Sequence, residues 1–178
     1  HLSDIIETIT RPRVLASFKV TFLTSLIASI INSIMGVILA WVLVRYEFPG
    51  KRILDGCIEL PFALPTSVAG ITLSKMYSEN GILGTPLAKL GIKVSYTHLG
   101  LVIALVFVGI PFVIRAVQPV LEKLDGQYEE AAFMLGANRF QTFRRVLLPE
   151  MMPPVLTGFG LAFARGIGEL SLIHISEP

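Results

Sequence analysis

Residues Val20 to Val44 read "VTFLTSLIASIINSIMGVILAWVLV", 25 residues without a charged side chain. A helix rises about 1.5 Å per residue, so this run reaches roughly 37 Å and crosses a hydrocarbon core of about 30 Å with some tilt. It is too long to be the buried helix of a soluble core. Composition agrees: 53% of the 178 residues are hydrophobic and 16% are charged, against about 25% charged in soluble domains. The net charge of +2 is small and evenly spread, which argues against nucleic-acid binding. One cysteine, Cys57, excludes an internal disulfide and a multi-Cys metal site. The first residue is His1, and no basic n-region with an h-region and cleavage site is visible. The expectation is an internal piece of a longer membrane protein.

The first span is expected over about 20–44, with Trp41 and Tyr46 as interfacial aromatics. Thr21, Ser25, Ser29 and Ser33 recur every fourth residue, and Gly36 and Ala40 continue the stripe. Such a face lets helix backbones approach closely, so this helix should sit in a bundle. A second apolar stretch, about 58–74, is short and carries Pro61, Pro65 and Gly70. Proline removes a backbone donor and crowds the preceding turn, and lipid tolerates such a break only where a neighbour or a wet cavity satisfies the freed groups. A third span is expected over about 96–117, with Pro111 near its end and Arg115 just beyond, and a fourth over 151–169, where Arg165 and Glu169 fall in its second half. Between the second and third, "TPLAKLG" reads as one short interfacial helix among turn-forming glycines. Alternation that puts the segment before Glu150 inside leaves Arg45, Lys51, Arg52, Arg115, Lys123, Arg139, Arg144 and Arg145 inside, against Arg11, Arg13, Lys19, Lys75, Lys89 and Lys93 outside. The margin decides little.

The segment "EEAAFMLGANRFQTFRRVLLPE", Glu129 to Glu150, interrupts this apolar background with three Glu and three Arg. It reads as two short helices. Tyr128, Ala131, Ala132 and Leu135 fall at i, i+3, i+4 and i+7, one apolar face. Glu129 and Glu130 suit a helix N-terminus, and Gly136 is a natural residue for the left-handed turn after a helix. Asn138 reads as an N-cap, with Gln141 completing a capping box. Phe140, Phe143 and Leu147 share the second face, Arg144 and Arg145 favour its C-terminal end, and Pro149 is expected to stop it. Two exposed Phe side chains and a basic end fit a protein-docking surface. They fit equally an amphipathic pair lying on lipid headgroups.

Glu130-Ala131-Ala132, three residues, Gly136, nine residues, then Val146-Leu147-Leu148-Pro149 resembles the EAA loop of ABC importer permeases. The family prefers Ile where Val146 stands. The resemblance implies an all-α, multi-span bundle with a cytoplasmic coupling loop over 126–149 that docks in a groove of a separate ATPase. Phe140 and Phe143 would fill the groove, Gly136 would make the turn, and Glu130 would hold the loop through local polar contacts. The likeness runs from about Phe18 to Glu169. "RYEFPGKRILD", "LPFALPTSVAG", "IPFVIRAVQPVLEKL", "LAFARGIGE" and "KVSYTHLG" are similar to the sulfate/thiosulfate branch, with the molybdate/tungstate branch as its nearest competitor. The tail from Leu170 to Pro178 departs from the family and is expected to be non-native, and the resemblance implies that the family's first span and its last one or two lie outside this sequence.

No G-x-x-x-x-G-K-[ST] phosphate loop occurs, since Gly50-Lys51 lacks the preceding glycine and is followed by Arg52. ATP and Mg would therefore be bound by a partner ATPase, with no cofactor, metal or catalytic site in this chain. His1, His98 and His174 are scattered. For an anion path the candidates are Pro65, Thr66 and Ser67, where a broken helix presents backbone N–H groups, with Gly70 a turn later. Thr66 and Ser67 equally suit hydrogen bonds to their own preceding turn. Arg115 is expected at the cytoplasmic interface. Arg165 is a candidate anion contact or, with Glu169, an internal ion pair. The implied partners are ABC ATPase subunits, a second similar permease subunit, a periplasmic sulfate-binding protein that meets 78–95, and membrane lipid. The implied location is the bacterial inner membrane, multi-pass. The rivals are a molybdate permease and a non-transporting scaffold that binds lipid through Phe140 and Phe143.

Overall fold

The first helix among the described residues is α1 (Pro12–Arg45). In the computed structural model, which describes residues 12–94, 97–124 and 126–176, every regular element is helical. After α1 come α2 (Lys51–Ala63), α3 (Thr66–Tyr77), α4 (Gly84–Lys89) and α5 (His98–Lys123). Then follow α6 (Gly126–Met134), α7 (Arg139–Thr142), one wide π turn (Phe143–Leu147) and α8 (Leu148–Ser176). Among the described residues three helical stretches are long and apolar enough to cross a membrane: Pro12–Arg45, His98–Lys123 and Arg139–Glu169. A fourth is broken, Lys51–Ala63 and Val68–Tyr77 meeting at a bend of 118°.

The bundle is α1, α5 and α8, each packed on the other two. In lipid there is no hydrophobic gain from pairing apolar helices, so close backbone approach and dispersion must hold them. Two glycines supply the approach. A Cβ on Gly36 of α1 would lie 2.6 Å from Val113 Cγ1, and one on Gly158 of α8 would lie 2.7 Å from Val113 Cα. Both outer helices thus close on α5 at Val113, which is fully buried. The buried face of α1 carries Thr21, Ser25, Ser29, Asn32, Gly36 and Ala40. Ser33, expected on this stripe, lies off its centre, and Asn32 takes its place. A strict spacing of four residues turns about 400°, so the stripe drifts about 40° per step against a 3.6-residue helix. Three steps after Thr21, the buried position has moved back by one residue. Asn32 donates from its amide to the Leu105 carbonyl at 3.5 Å, and any Cβ on Gly109 would overlap that amide.

The apolar core gathers at one end of the bundle. Ala40 and Leu43 of α1, Val117 and Leu121 of α5, Leu147 and Met151 form one buried cluster with Ile58 of α2. At the other end, segment 78–94 folds back with α4 inside it, and Lys93 pairs with Glu79 at 3.1 Å. Cys57 is exposed.

Candidate functional site

Two regions hold the sequence candidates. The first is the elbow formed by α6, α7 and the π turn. At its centre Gly136 has φ +81, a left-handed conformation that L side chains resist. The Gly136 amide donates to Phe133 O at 2.9 Å and the Ala137 amide to Ala132 O at 3.0 Å, the double closure of a Schellman turn. Asn138 then starts α7 with a complete capping box. Its side chain accepts from the Gln141 amide at 2.8 Å, and Gln141 Oε1 accepts from the Asn138 amide at 3.0 Å. Both devices use residues within six positions of each other and fix the elbow's shape locally.

What the elbow presents differs from the pattern in four ways. Phe140 is 69% exposed, but Phe143 is half-buried and packs edge-on against Trp41, with centroids 6.0 Å apart. Only one of the two Phe side chains therefore faces outward. The apolar face of α6 is not buried in this chain apart from Ala132; Tyr128 and Leu135 are exposed, as are Phe133 and Met134 beside them. Glu129, not Glu130, makes the ion pair that anchors the segment, with Arg45 at 2.9 Å. Glu130 is exposed. Finally, Pro149 does not stop the helix. Proline has no N–H and its ring crowds the carbonyl four residues back. The π turn immediately before it widens the ladder, with the Leu148 amide bonding Phe143 O, and the helix continues into α8. Arg144 and Arg145 lie exposed in the π turn itself.

The second region is the break between α2 and α3. Pro65 caps α3, and its carbonyl accepts from the Val68 and Ala69 amides at 3.0 and 3.1 Å. Thr66 and Ser67 occupy the first two positions of α3; their side chains lie outside the described part. Pro65, Leu64 and Phe62 line a cavity of about 440 Å³ together with Phe112 of α5 and Arg165 of α8. The structure thus brings Arg165 to the break, 100 residues away in sequence. Arg165 also pairs with Glu169 at 2.6 Å, the ion pair that was one of its two sequence readings. Gly70 does not join them. It lines a separate cavity with Ser74, Tyr77, Thr97 and His98.

Two ion-pair clusters escaped sequence reasoning. Arg115 donates to Glu59 at 2.8 Å and forms an ion pair with Asp55 at 3.0 Å, tying α2 to α5, and donates to Gln118 at 2.7 Å. Arg45 donates to the Leu124 carbonyl at 2.8 Å besides pairing with Glu129, and its guanidinium lies 5.5 Å from the Trp41 ring centroid. Read singly, these arginines mark only the ends of apolar runs.

Residues 32–175 match the family described as the inner membrane component of binding-protein-dependent transport systems. The chain belongs to this family. It is accordingly an integral membrane protein, all-helical, of the inner-membrane class that the description names. Its last helix runs to Ser176 with no break at Leu170, where the sequence pattern departs, and the family match continues to residue 175. The chain is similar to the sulfate transport system permease protein CysT of Escherichia coli (strain K12), 52% identical over 167 residues, 94% of this chain and 60% of that protein. It is 49% identical over 174 residues to the probable sulfate transport system permease protein cysT of Nephroselmis olivacea, covering 98% of this chain and 61% of that one. With the CysT protein of Synechocystis sp. the identity is 49% over 160 residues, 90% of this chain and 56% of the relative. The chain thus spans about 60% of the length of such relatives.

Proposed function

We propose that this chain is the membrane-spanning permease part of an ATP-driven importer for sulfate or thiosulfate. ATP and Mg are bound by a separate ATPase, and the elbow of α6 and α7 is where that ATPase docks. The observation that carries this reading is the elbow itself: a rigidly capped turn between two spans that leaves Phe133, Met134, Leu135 and Phe140 exposed beside Arg139, Arg144 and Arg145. Exposed aromatic and Arg side chains of this kind anchor protein interfaces. Identity of about half with permeases named for sulfate supports the anion class. Glu130, Ala131, Ala132, Gly136, Asn138, Phe140, Arg144 and Pro149 belong to the docking element. Phe143 serves it from behind, as the contact that seats the elbow on Trp41.

The anion route passes the break at Pro65. First-turn amides of a helix have no partner within it, and Arg165 adds a positive charge to the same cavity. A neutral break with one partly compensated arginine holds a divalent oxyanion weakly enough to release it. A second permease subunit covers the exposed side of α2 and α3, and a periplasmic binding protein meets segment 78–94, where Ile82 and Leu90 are exposed. The test is uptake into proteoliposomes by the full complex, with sulfate and molybdate compared. ATP-dependent sulfate uptake is expected. Molybdate uptake without sulfate uptake would reassign the substrate, and neither, with a bound ATPase, would overturn the import reading.

A further inference from the structure

We infer that Arg45 is a positioning residue for energy coupling: one guanidinium that locks the docking elbow to the ends of two spans. The inference rests on the proposed docking of an ATPase at α6 and α7.

Arg45 is the last residue of α1. Its Nη2 donates to the carbonyl of Leu124, the residue that closes α5. The same nitrogen pairs with Glu129 in the first turn of α6. Its Cζ lies over the ring of Trp41, one turn back on α1, and Trp41 in turn meets Phe143 in the π turn. Three elements, α1, α5 and α6, therefore converge on one side chain, and Trp41 links it to the π turn. The Arg45 side chain is 21% exposed and that of Glu129 31%, so the pair is screened less than one open to solvent. Lysine cannot replace this arrangement. A planar fork can stack on an aromatic ring while donating in its own plane, whereas an ammonium cannot do both with the same geometry.

The consequence is mechanical. Phe140 and the exposed face of α6 can be pulled by a partner only as far as the elbow is tied to the spans. The chain passes from α5, which ends at Lys123, to α6, which starts at Gly126, within three residues. A lever with a loose corner would bend there and leave α1 and α5 behind. Arg45 bridges that corner from outside the connecting segment, so a displacement of α6 is carried to α1 as well as along the chain.

The experiment uses the full-length permease in its complete transporter, reconstituted with radiolabelled sulfate, and reads three quantities: retention of the ATPase, ATP hydrolysis, and sulfate taken up per ATP hydrolysed. In Arg45→Lys and Glu129→Gln the ATPase should still copurify, because Phe140 is untouched. Uptake per ATP should fall roughly fivefold or more, the lower range of an allosteric coupling. The double variant Arg45→Ala/Glu129→Gln should be no worse than Arg45→Ala alone, since the two side chains act as one unit. Unchanged uptake per ATP in Glu129→Gln and Arg45→Lys overturns the inference. So does a fall in hydrolysis and uptake in strict proportion, which marks a structural role only. If Arg45→Ala fails to assemble, Glu129→Gln decides alone, because it keeps the bond to Leu124 and the stack on Trp41. A wild-type complex that binds the ATPase but takes up no oxyanion would instead overturn the proposed function on which this rests.

Discussion

The elbow corner and the broken limb are both attached to α5, yet they are attached in opposite ways. At the corner Arg45, Trp41, Phe143 and Leu147 combine an ion pair, a backbone hydrogen bond, ring contacts and the buried end of the core. The limb, α2 and α3, rests on α5 mainly through Ile58, an edge contact of Phe62 with Phe112 at 5.1 Å, and the Arg115 ion pairs. Ile53, Leu60, Val68 and Ile71 of the limb are left exposed. The difference teaches that one bundle holds a stiff part suited to passing on a displacement and a loosely held part suited to opening a path or accepting a neighbour. Ion pairs occur in both, so charge alone does not make a region stiff. Burial and the number of elements each charge joins do.

The sharpest way to break this comparison is to attack the bundle on which both regions depend. Gly158→Leu places a side chain against the Val113 backbone, which cannot yield. It should cost about 3 kcal/mol, the upper range of overpacking. Gly160→Leu, two residues on and with no atom within 4 Å of an added Cβ, should cost under about 0.5 kcal/mol. Unfolding of the purified protein in detergent separates the two. Next in size is Asn138→Ala, which removes the side-chain acceptor of the Gln141 amide but keeps the backbone amide that donates to Gln141 Oε1, and should cost about 1 kcal/mol. Hydrogen exchange at the Gln141 and Thr142 amides should speed up while the bundle stays protected. The smallest effect is expected from Arg115→Ala. Its carboxylate partners are 43% and 63% exposed, so screening limits the loss to about 0.5 kcal/mol. Exchange over 51–63 should rise about twofold, with no change at the elbow. A larger effect at the elbow than in α2 would erase the distinction between the two regions.

What was legible in the sequence follows the same division. The Gly136 turn and the Asn138–Gln141 box depend on residues three to five positions apart, and local rules found both. The break at Pro65 was equally plain, because proline acts on its own turn. The seating of Phe143 was not legible. A helical face with two Phe side chains looks uniformly exposed until Trp41, from a helix 102 residues earlier, is brought beside one of them. Arg45 and Glu129 were each assigned a local role, a span-end charge and a helix-dipole partner, and nothing in a linear pattern pairs them. Pro149 misled for a different reason. The rule that proline ends a helix assumes an α ladder before it, and a π turn removes the clash. Arg165 is intermediate: its charge within an apolar run made it a candidate, and the fold set it on the cavity beside Pro65.

The most direct test of the account is site-directed cross-linking in the assembled transporter, with every native cysteine of the full-length permease, Cys57 among them, changed to Ser as background and single cysteines at Phe140, Trp41 and Ile34. Phe140 is exposed on the elbow, Trp41 is covered by Phe143 and Arg45, and Ile34 is exposed mid-span on α1. The account predicts a cross-link to the ATPase from Phe140→Cys alone, and one that changes in yield when ATP is bound. A cross-link to the ATPase from Ile34→Cys, or none from Phe140→Cys in a complex that transports sulfate, would contradict it.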